Sequence, residues 1–186
     1  LIRVGGGSAR GRLLKAPRRE RTTLGRVKQA LFDMLAWRLA GTRFLDVFAG
    51  SGAVGIEALS RGAQWACFIE ARERHGALIR ENLARCGLSE KAEVICAEAG
   101  RGLAWLTERG KEFDIVFLDP PYGSAAPLRR ALQRLAESPV LLAPGGIVIV
   151  ERARQRPLEE MPEALERVDS RTFGDSVLEL LRRKQE

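Results

Sequence analysis

The sequence predicts an α/β fold: a mostly parallel sheet with helices on both faces and an antiparallel hairpin at one edge. Three observations carry that expectation. Short apolar runs alternate with helical stretches from residue 43 to residue 151. Glycine- or proline-bearing turns punctuate them, and the last two strand-like runs are joined by Gly174-Asp175. Alternation on this length scale implies parallel strands joined by crossover helices. A Gly-Asp pair between two strands implies a hairpin instead.

Taken in order, Val27, Ala30, Leu31, Met34 and Leu35 recur at helical spacing, and Thr22 or Thr23 is placed to cap that helix. Arg43–Phe48 reads as the first strand of the sheet, followed by a Gly-rich turn and a helix over Val54–Arg61. Trp65–Glu70 is the next strand, and Arg72–Cys86 a helix stopped by Gly87. Ala92–Cys96, the helix Gly100–Glu108, the strand Phe113–Leu118 and the helix Leu128–Glu137 continue the series. Pro144-Gly145-Gly146 turns into the strand Ile147–Glu151, and Leu165–Phe173 with Ser176–Arg182 form the closing hairpin. No repeat, low-complexity tract or second domain interrupts this order, and the only expected linker is the N-terminal stretch.

The chain of 186 residues is 45% hydrophobic and 30% charged, a globular composition for one domain. No apolar run reaches the ~20 residues of a membrane helix, and the opening residues lack the apolar core of a signal peptide. Cys67, Cys86 and Cys96 are odd in number, far apart and in no metal-ligand spacing, so they read as free thiols in a reducing compartment, and the cytoplasm is the expected location. With His75 the single histidine, triad hydrolysis and multi-histidine metal chemistry have little to work with. The charge of +7 is lopsided: residues 1–28 hold nine basic side chains against Glu20, a net +8, which leaves −1 for the remainder. A basic arm on a near-neutral body suits a polyanion, because neutralised phosphates release counterions. The plainer reading is a solvated tail kept for solubility.

The first strand ends in Asp46-Val47-Phe48-Ala49-Gly50-Ser51-Gly52-Ala53-Val54-Gly55. Gly50-x-Gly52-x-x-Gly55 matches a nucleotide-binding turn, and Glu70 follows 20 residues after Gly50, where a carboxylate accepts ribose hydroxyls. These residues specify an adenosine-containing ligand without saying which. Asp46 separates the options: it would repel a pyrophosphate and hold a cationic amino group. The absence of a distinct substrate domain also speaks against an NAD oxidoreductase. S-adenosyl-L-methionine is therefore the expected cofactor, with S-adenosyl-L-homocysteine as product, no metal, and Asp46, Phe48, Gly50, Ser51, Gly52, Glu70, Glu98 and Ala99 as candidate binding residues.

Asp119-Pro120-Pro121-Tyr122 closes the fourth strand of the alternating series, across the same crevice. An exocyclic amine is a poor nucleophile because its lone pair is delocalised into the ring. It attacks a methyl group only when both N–H bonds are directed at acceptors. The Asp119 carboxylate is one acceptor and the Pro120 carbonyl another; successive prolines hold φ and remove competing donors. Tyr122 offers a flat face for the target base, a stacking worth ~1–3 kcal/mol. The tetrad thus predicts an amino-directed methyltransferase, against the alternative of a Pro-Pro turn that merely ends a strand. Trp37, Trp65 and Trp105 read as core, His75 as a surface or packing residue, and Glu151 as either pocket-facing or a solvated strand end.

On these residues the sequence resembles the RsmD-type small-subunit rRNA guanine-N2 methyltransferases. The similarity runs from Arg3-Val4-Gly5-Gly6 and Arg10-Gly11-Arg12 through Arg21, Thr23 and Arg26-Val27. It continues through Asp46–Gly52, Glu57–Ala63 and the tetrad to Phe173-Gly174-Asp175-Ser176. The resemblance implies a Rossmann-like class I methyltransferase fold with a seven-stranded sheet and a helical N-terminal cover. It implies methylation of N2 of guanine 966 in 16S rRNA, presented by a partly assembled small ribosomal subunit. It also implies Arg3, Arg10, Arg12, Arg21 and Arg26 as the RNA grip. Thr22, Gly25 and Glu98 depart from the residues usual in that family. The division expected is residues 1–40 as basic arm and covering helix and 41–186 as the methyltransferase domain, acting as a monomer. Two alternatives are a DNA amino-methyltransferase, which would need a base-reading segment not found here, and a non-catalytic RNA-binding assembly factor.

Overall fold

A computed structural model describes residues 1–17, 25–121, 125–158 and 160–184 of the chain. A two-stranded hairpin, β1 (Ile2–Arg3) and β2 (Leu13–Leu14), precedes helix α1 (Gly25–Leu35). The alternating part follows: β3 (Arg43–Asp46), α2 (Ala53–Ser60), β4 (Trp65–Glu70), α3 (Glu73–Cys86), β5 (Ala92–Cys96), α4 (Ala99–Glu108), β6 (Phe113–Leu118), α5 (Ala126–Glu137) and β7 (Leu142–Ala153). The closing hairpin is β8 (Leu165–Phe173) and β9 (Ser176–Arg183).

Seven strands form one sheet in the order β5-β4-β3-β6-β7-β9-β8. Strands β3 to β7 pair in parallel, while β9 runs antiparallel to both β7 and β8. Strand order reverses between β3 and β6, so the carboxyl ends of those strands flank the crevice where an open α/β sheet takes its ligand. Within the parallel sheet, two strands depart most from the sequence expectation. Strand β3 stops at Asp46, because the chain leaves the ladder to enter the Gly-rich turn. Strand β7 starts earlier, at Leu142; its pairing with β6 jumps from Leu142 to Ile147, so Pro144-Gly145-Gly146 lies inside an irregular strand rather than before it.

Side chains alternate across the strands and build two cores, one on each sheet face. Phe44, Phe68, Ile115, Phe117 and Ile149 face α1, α2 and α3. Leu45, Cys67, Ile69, Val116 and Val150 face α4 and α5. The third glycine of the turn serves this packing: a Cβ on Gly55 would lie 2.3 Å from the Phe68 ring, so only glycine lets α2 settle on β4. No helix among the described residues is long and apolar enough to cross a membrane.

The N-terminal stretch is not a linker. Val4, Ala9 and Leu14 are buried in the same core as α1, α2 and α3. The Gly5 amide donates to both oxygens of Glu57, the Ala9 amide to Ser60 Oγ, and the Lys15 amide to Asn82 Oδ1. Trp37 is a second correction. It stands 80% exposed just past α1, beside the Arg38 guanidinium, rather than in the core. Trp65 stacks on Phe113 and Trp105 packs against the second core, both only partly buried.

Candidate active site

A cavity of about 630 Å3 opens over the carboxyl ends of β3, β4 and β6. Asp46, Phe48, Gly50, Ser51, Glu70, Glu98 and Ala99, all candidates from the sequence, line it, and so does Asp119. Gly50 holds φ at 54°, and no atom lies within 4 Å of where its Cβ would stand, so the backbone there is open to a ligand. Gly52 acts differently. It caps α2 at φ 75°, its missing Cβ makes room for Ile79, and it is not among the lining residues. One glycine exposes backbone and the other turns it.

Glu70 is pinned by the turn it completes. Its Oε2 accepts from the Gly50 amide at 2.9 Å and its Oε1 from the Arg72 amide at 2.9 Å. Oε2 keeps a second lone pair, with which it can accept a ribose hydroxyl. His75 Nδ1 lies 3.5 Å from Glu70 Oε1 and is 3% exposed. Burial lowers the His75 pKa, partly countered by the Glu70 charge. Sequence reading placed His75 on the surface or in packing, yet it lines the cavity, as Arg72, Pro17, Phe117 and Pro127 do. A signal existed: His75 sits in the first turn after a strand ending in a ligand-type carboxylate, and such turns face the sheet crevice.

Asp46 is 2% exposed and accepts from the Gly55 amide at 3.2 Å. Burial pushes its carboxyl up to about 7, against the pull of that amide and with a contribution from the Glu70 charge. A buried carboxylate beside a second one has a use for a cation. An ammonium group in the cavity would restore its ionised form. The cavity therefore fits S-adenosyl-L-methionine: a cationic end at Asp46, a ribose at Glu70, and an open backbone at Gly50. Its volume is within the range of ~300–1,000 Å3 typical of cofactor sites.

Pro120 and Pro121 form the wall between this cavity and a smaller one of about 170 Å3, with Pro121 on both sides. Glu151 lines the smaller one. It is 2% exposed and accepts from Ser176 Oγ at 3.3 Å, so it is not a solvated strand end. Leu118 pairs with Val150, which makes Asp119 and Glu151 neighbours across the β6–β7 ladder. Tyr122 lies outside the described residues, as do Arg21, Thr22 and Thr23.

Comparisons with known proteins agree with this architecture. The family model described as Conserved hypothetical protein 95 matches residues 2–182. Ribosomal RNA small subunit methyltransferase D of Escherichia coli K12 is 36% identical over 163 residues, 87% of this chain and 79% of its own. The Bacillus subtilis protein YlbH is 35% identical over 175 residues, 93% of this chain and 94% of its own. The solved structure of Escherichia coli yhhF superposes with a TM-score of 0.86 at 32% identity, over 100% of this chain and 99% of that one. The chain belongs to the RsmD family.

Among the described residues of this RsmD-family chain, some basic side chains of the N-terminal stretch are exposed and others are paired. Arg3, Arg10, Arg12 and Arg26 are exposed. Lys28 is not available to a polyanion: its ammonium is buried between the Arg3 carbonyl and Glu57, at 3.0 Å from each. Arg61 completes that buried set, 2.7 Å from Glu57 Oε1. Lys15 pairs with Glu81 at the surface. Counting charge along the sequence overstates what the hairpin presents to solvent.

Proposed function

We propose that this chain transfers a methyl group from S-adenosyl-L-methionine to the exocyclic N2 of a guanine in small-subunit rRNA, the one at position 966 of 16S rRNA in the family's terms. The observation that carries the reading is the placement of Asp119. It lies on the rim of the cavity that also holds Asp46 and Glu70. One end of the cavity is then chemically matched to the cofactor and the other to an amino group. Names of the relatives support the rRNA part.

When bound, the cofactor supplies an activated sulfonium methyl. The protein supplies position and acceptors. Asp46 holds the cationic amino group, Glu70 a ribose hydroxyl, and Glu98 and Ala99 the adenine end. At the other end the Asp119 carboxylate and the Pro120 carbonyl accept the two amino hydrogens, which draws the nitrogen toward tetrahedral geometry with its lone pair facing the methyl. Asp119 then takes the proton shed by the nitrogen, directly or through water. Tyr122 stacks on the base. Extruding a base from a stem costs a few kcal/mol, which favours a loop or ribosomal surface as target. Arg3, Arg10, Arg12, Arg21 and Arg26 grip RNA phosphates. The acceptor is a partly assembled small subunit, the enzyme is a monomer, and the reaction takes place in the cytoplasm.

The test supplies tritiated S-adenosyl-L-methionine with small subunits, naked rRNA and duplex DNA. Small subunits should label best, at guanine N2, and Asp119→Ala should lower the rate by about 100-fold or more. Equal labelling by wild type and variant would remove Asp119 from the chemistry. Preferential labelling of DNA would replace RNA as the substrate, and no labelling of any acceptor would leave an RNA-binding assembly factor.

A further inference from the structure

The smaller cavity is a cleft between the start of α5 and the connection from β7 to β8. Pro120, Pro121, Leu128 and Leu158 supply apolar surface, and Arg129 and Arg156 stand exposed at its margin. Its volume of about 170 Å3 exceeds the ~150 Å3 of an apolar cavity that holds one benzene ring. One planar heterocycle fits.

Two features say what kind. The first is shared structure: Pro121 lines both this cleft and the larger cavity, whereas Asp119 lines only the larger one. Pro120, whose carbonyl is the other proposed acceptor, lines the cleft, so the target amine meets the proline wall from the Asp119 side and a ring in the cleft belongs to a neighbour across it. The second is charge. Arg129 and Arg156 are the cleft's exposed cations, and its acidic members are the buried Glu151 and the exposed Glu160. Arg129 meets Glu160 at 3.2 Å, but both side chains are largely in water, where such a pair is weak and readily exchanged for a phosphate. Arg152 is the wall's fixed member, clamped on buried Glu179 at 2.5 Å.

We propose that this cleft binds the RNA nucleotide adjacent to the methylated guanine, its base against the proline and leucine walls and its phosphates on Arg129 and Arg156. The proposal rests on the RNA-methyltransferase reading above. It also gives the substrate a path. The N-terminal hairpin packs on the α1–α3 face of the sheet, and the cleft opens beside α5 on the other face. A single strand gripped at both crosses the carboxyl edge of the sheet, where the larger cavity lies. Flanking bases held by stacking on apolar walls need no particular sequence.

The experiment compares full-length wild type with Arg129→Glu/Arg156→Glu and, separately, Leu158→Asp. KM for an RNA fragment carrying the target guanine and the dissociation constant for S-adenosyl-L-methionine are both measured. Each variant should raise the RNA KM by about tenfold and leave cofactor affinity unchanged, which also verifies folding. The double variant should flatten the salt dependence of RNA binding as well. In parallel, 4-thiouridine is placed on either side of the target guanine and crosslinked by light; the expected adducts map to residues 152–160 for one of the two positions. Unchanged KM in both variants, or crosslinks only outside the cleft, overturns the proposal. A loss confined to kcat also overturns it, because it would mean the cleft takes the target base itself. If wild type methylates no RNA, the underlying reading fails first; active wild type with insensitive variants fails the cleft alone.

Discussion

Asp46 is a buried acid of the site, and burial raises its pKa from 3.8 to about 7. The sign follows from linkage. A raised acid stabilises the fold fully below pH 3.8, and that stabilisation is lost as pH rises to about 7. Asp46→Asn cannot ionise, so without cofactor it should gain stability over wild type across that window, by up to a few kcal/mol, and hold the gain above it. Paired thermal melts at stepped pH measure this; a constant difference would show that Asp46 does not titrate there. The same group predicts weaker binding of S-adenosyl-L-methionine to wild type in acid, by up to about tenfold per pH unit below 7, because the carboxyl must shed its proton to meet an ammonium. Calorimetric titration at several pH values follows it.

Glu57 is the charged anchor of the N-terminal hairpin. Its side chain is fully buried, and burial alone would raise its pKa. The Gly5 amide, Arg61 and Lys28 outweigh burial and bring it below the usual 4.5. A lowered acid stabilises above its unfolded pKa, so hairpin docking is retained at neutral pH and lost as pH falls below 4.5. Glu57→Gln keeps the shape but strands the Lys28 charge, a loss of about 3–5 kcal/mol. Hydrogen exchange should find the amides of Gly5 and Ala9 deprotected in that variant at neutral pH while the sheet amides of β3 and β6 stay protected. Gly7 tightens the same docking: a Cβ there would sit 1.7 Å from the Ser60 carbonyl oxygen, at φ 76°. Removing Arg10 and Arg12 charges should leave that docking intact, since both are exposed. It should weaken RNA binding and reduce its salt slope by about 1.4–1.8, as expected for two lost phosphate contacts. Salt titrations of binding read both values, and an unchanged slope would remove these arginines from the interface.

At the scale of the molecule, exposed basic side chains among the described residues stand on the N-terminal hairpin and at the margin of the smaller cleft. Along the sequence the excess sits in residues 1–28, and the remainder sums to −1. In space, Arg129 on α5 and Arg156 from the β7–β8 connection line one cleft, while Lys28 disappears into an ion pair. Many acidic residues that enter the count are engaged with other partners: Glu57 and Glu179 are buried in ion pairs, and Glu81 and Glu112 hold other basic side chains, while Glu160 meets Arg129 at the cleft itself. Net charge is a sum; an interface is a map.

Much of the fold was legible because its causes are local. Alternating apolar runs set β4, β5, β6 and the closing hairpin, and Gly87 at φ 68° stopped α3 as its residue type implies. Asp46, Gly50, Glu70 and Asp119 were legible because each sits at a strand end, and parallel strand ends converge on one crevice. The hairpin β1–β2 was not, since two-residue strands carry no periodicity and Val4, Ala9 and Leu14 read as scattered apolar residues in a basic tail. Trp37 was misjudged because size and apolarity argue for burial, whereas its position past the end of α1 decides against it. What the sequence alone determined, then, is the order of elements from α1 onward and which side chains stand near the strand ends, both of which depend on neighbours in the chain. Only the tertiary structure decided which cations are free, which carboxylates are buried, and that a second cleft adjoins the proline wall. Those depend on residues far apart in sequence, and no local pattern encodes a distance between them.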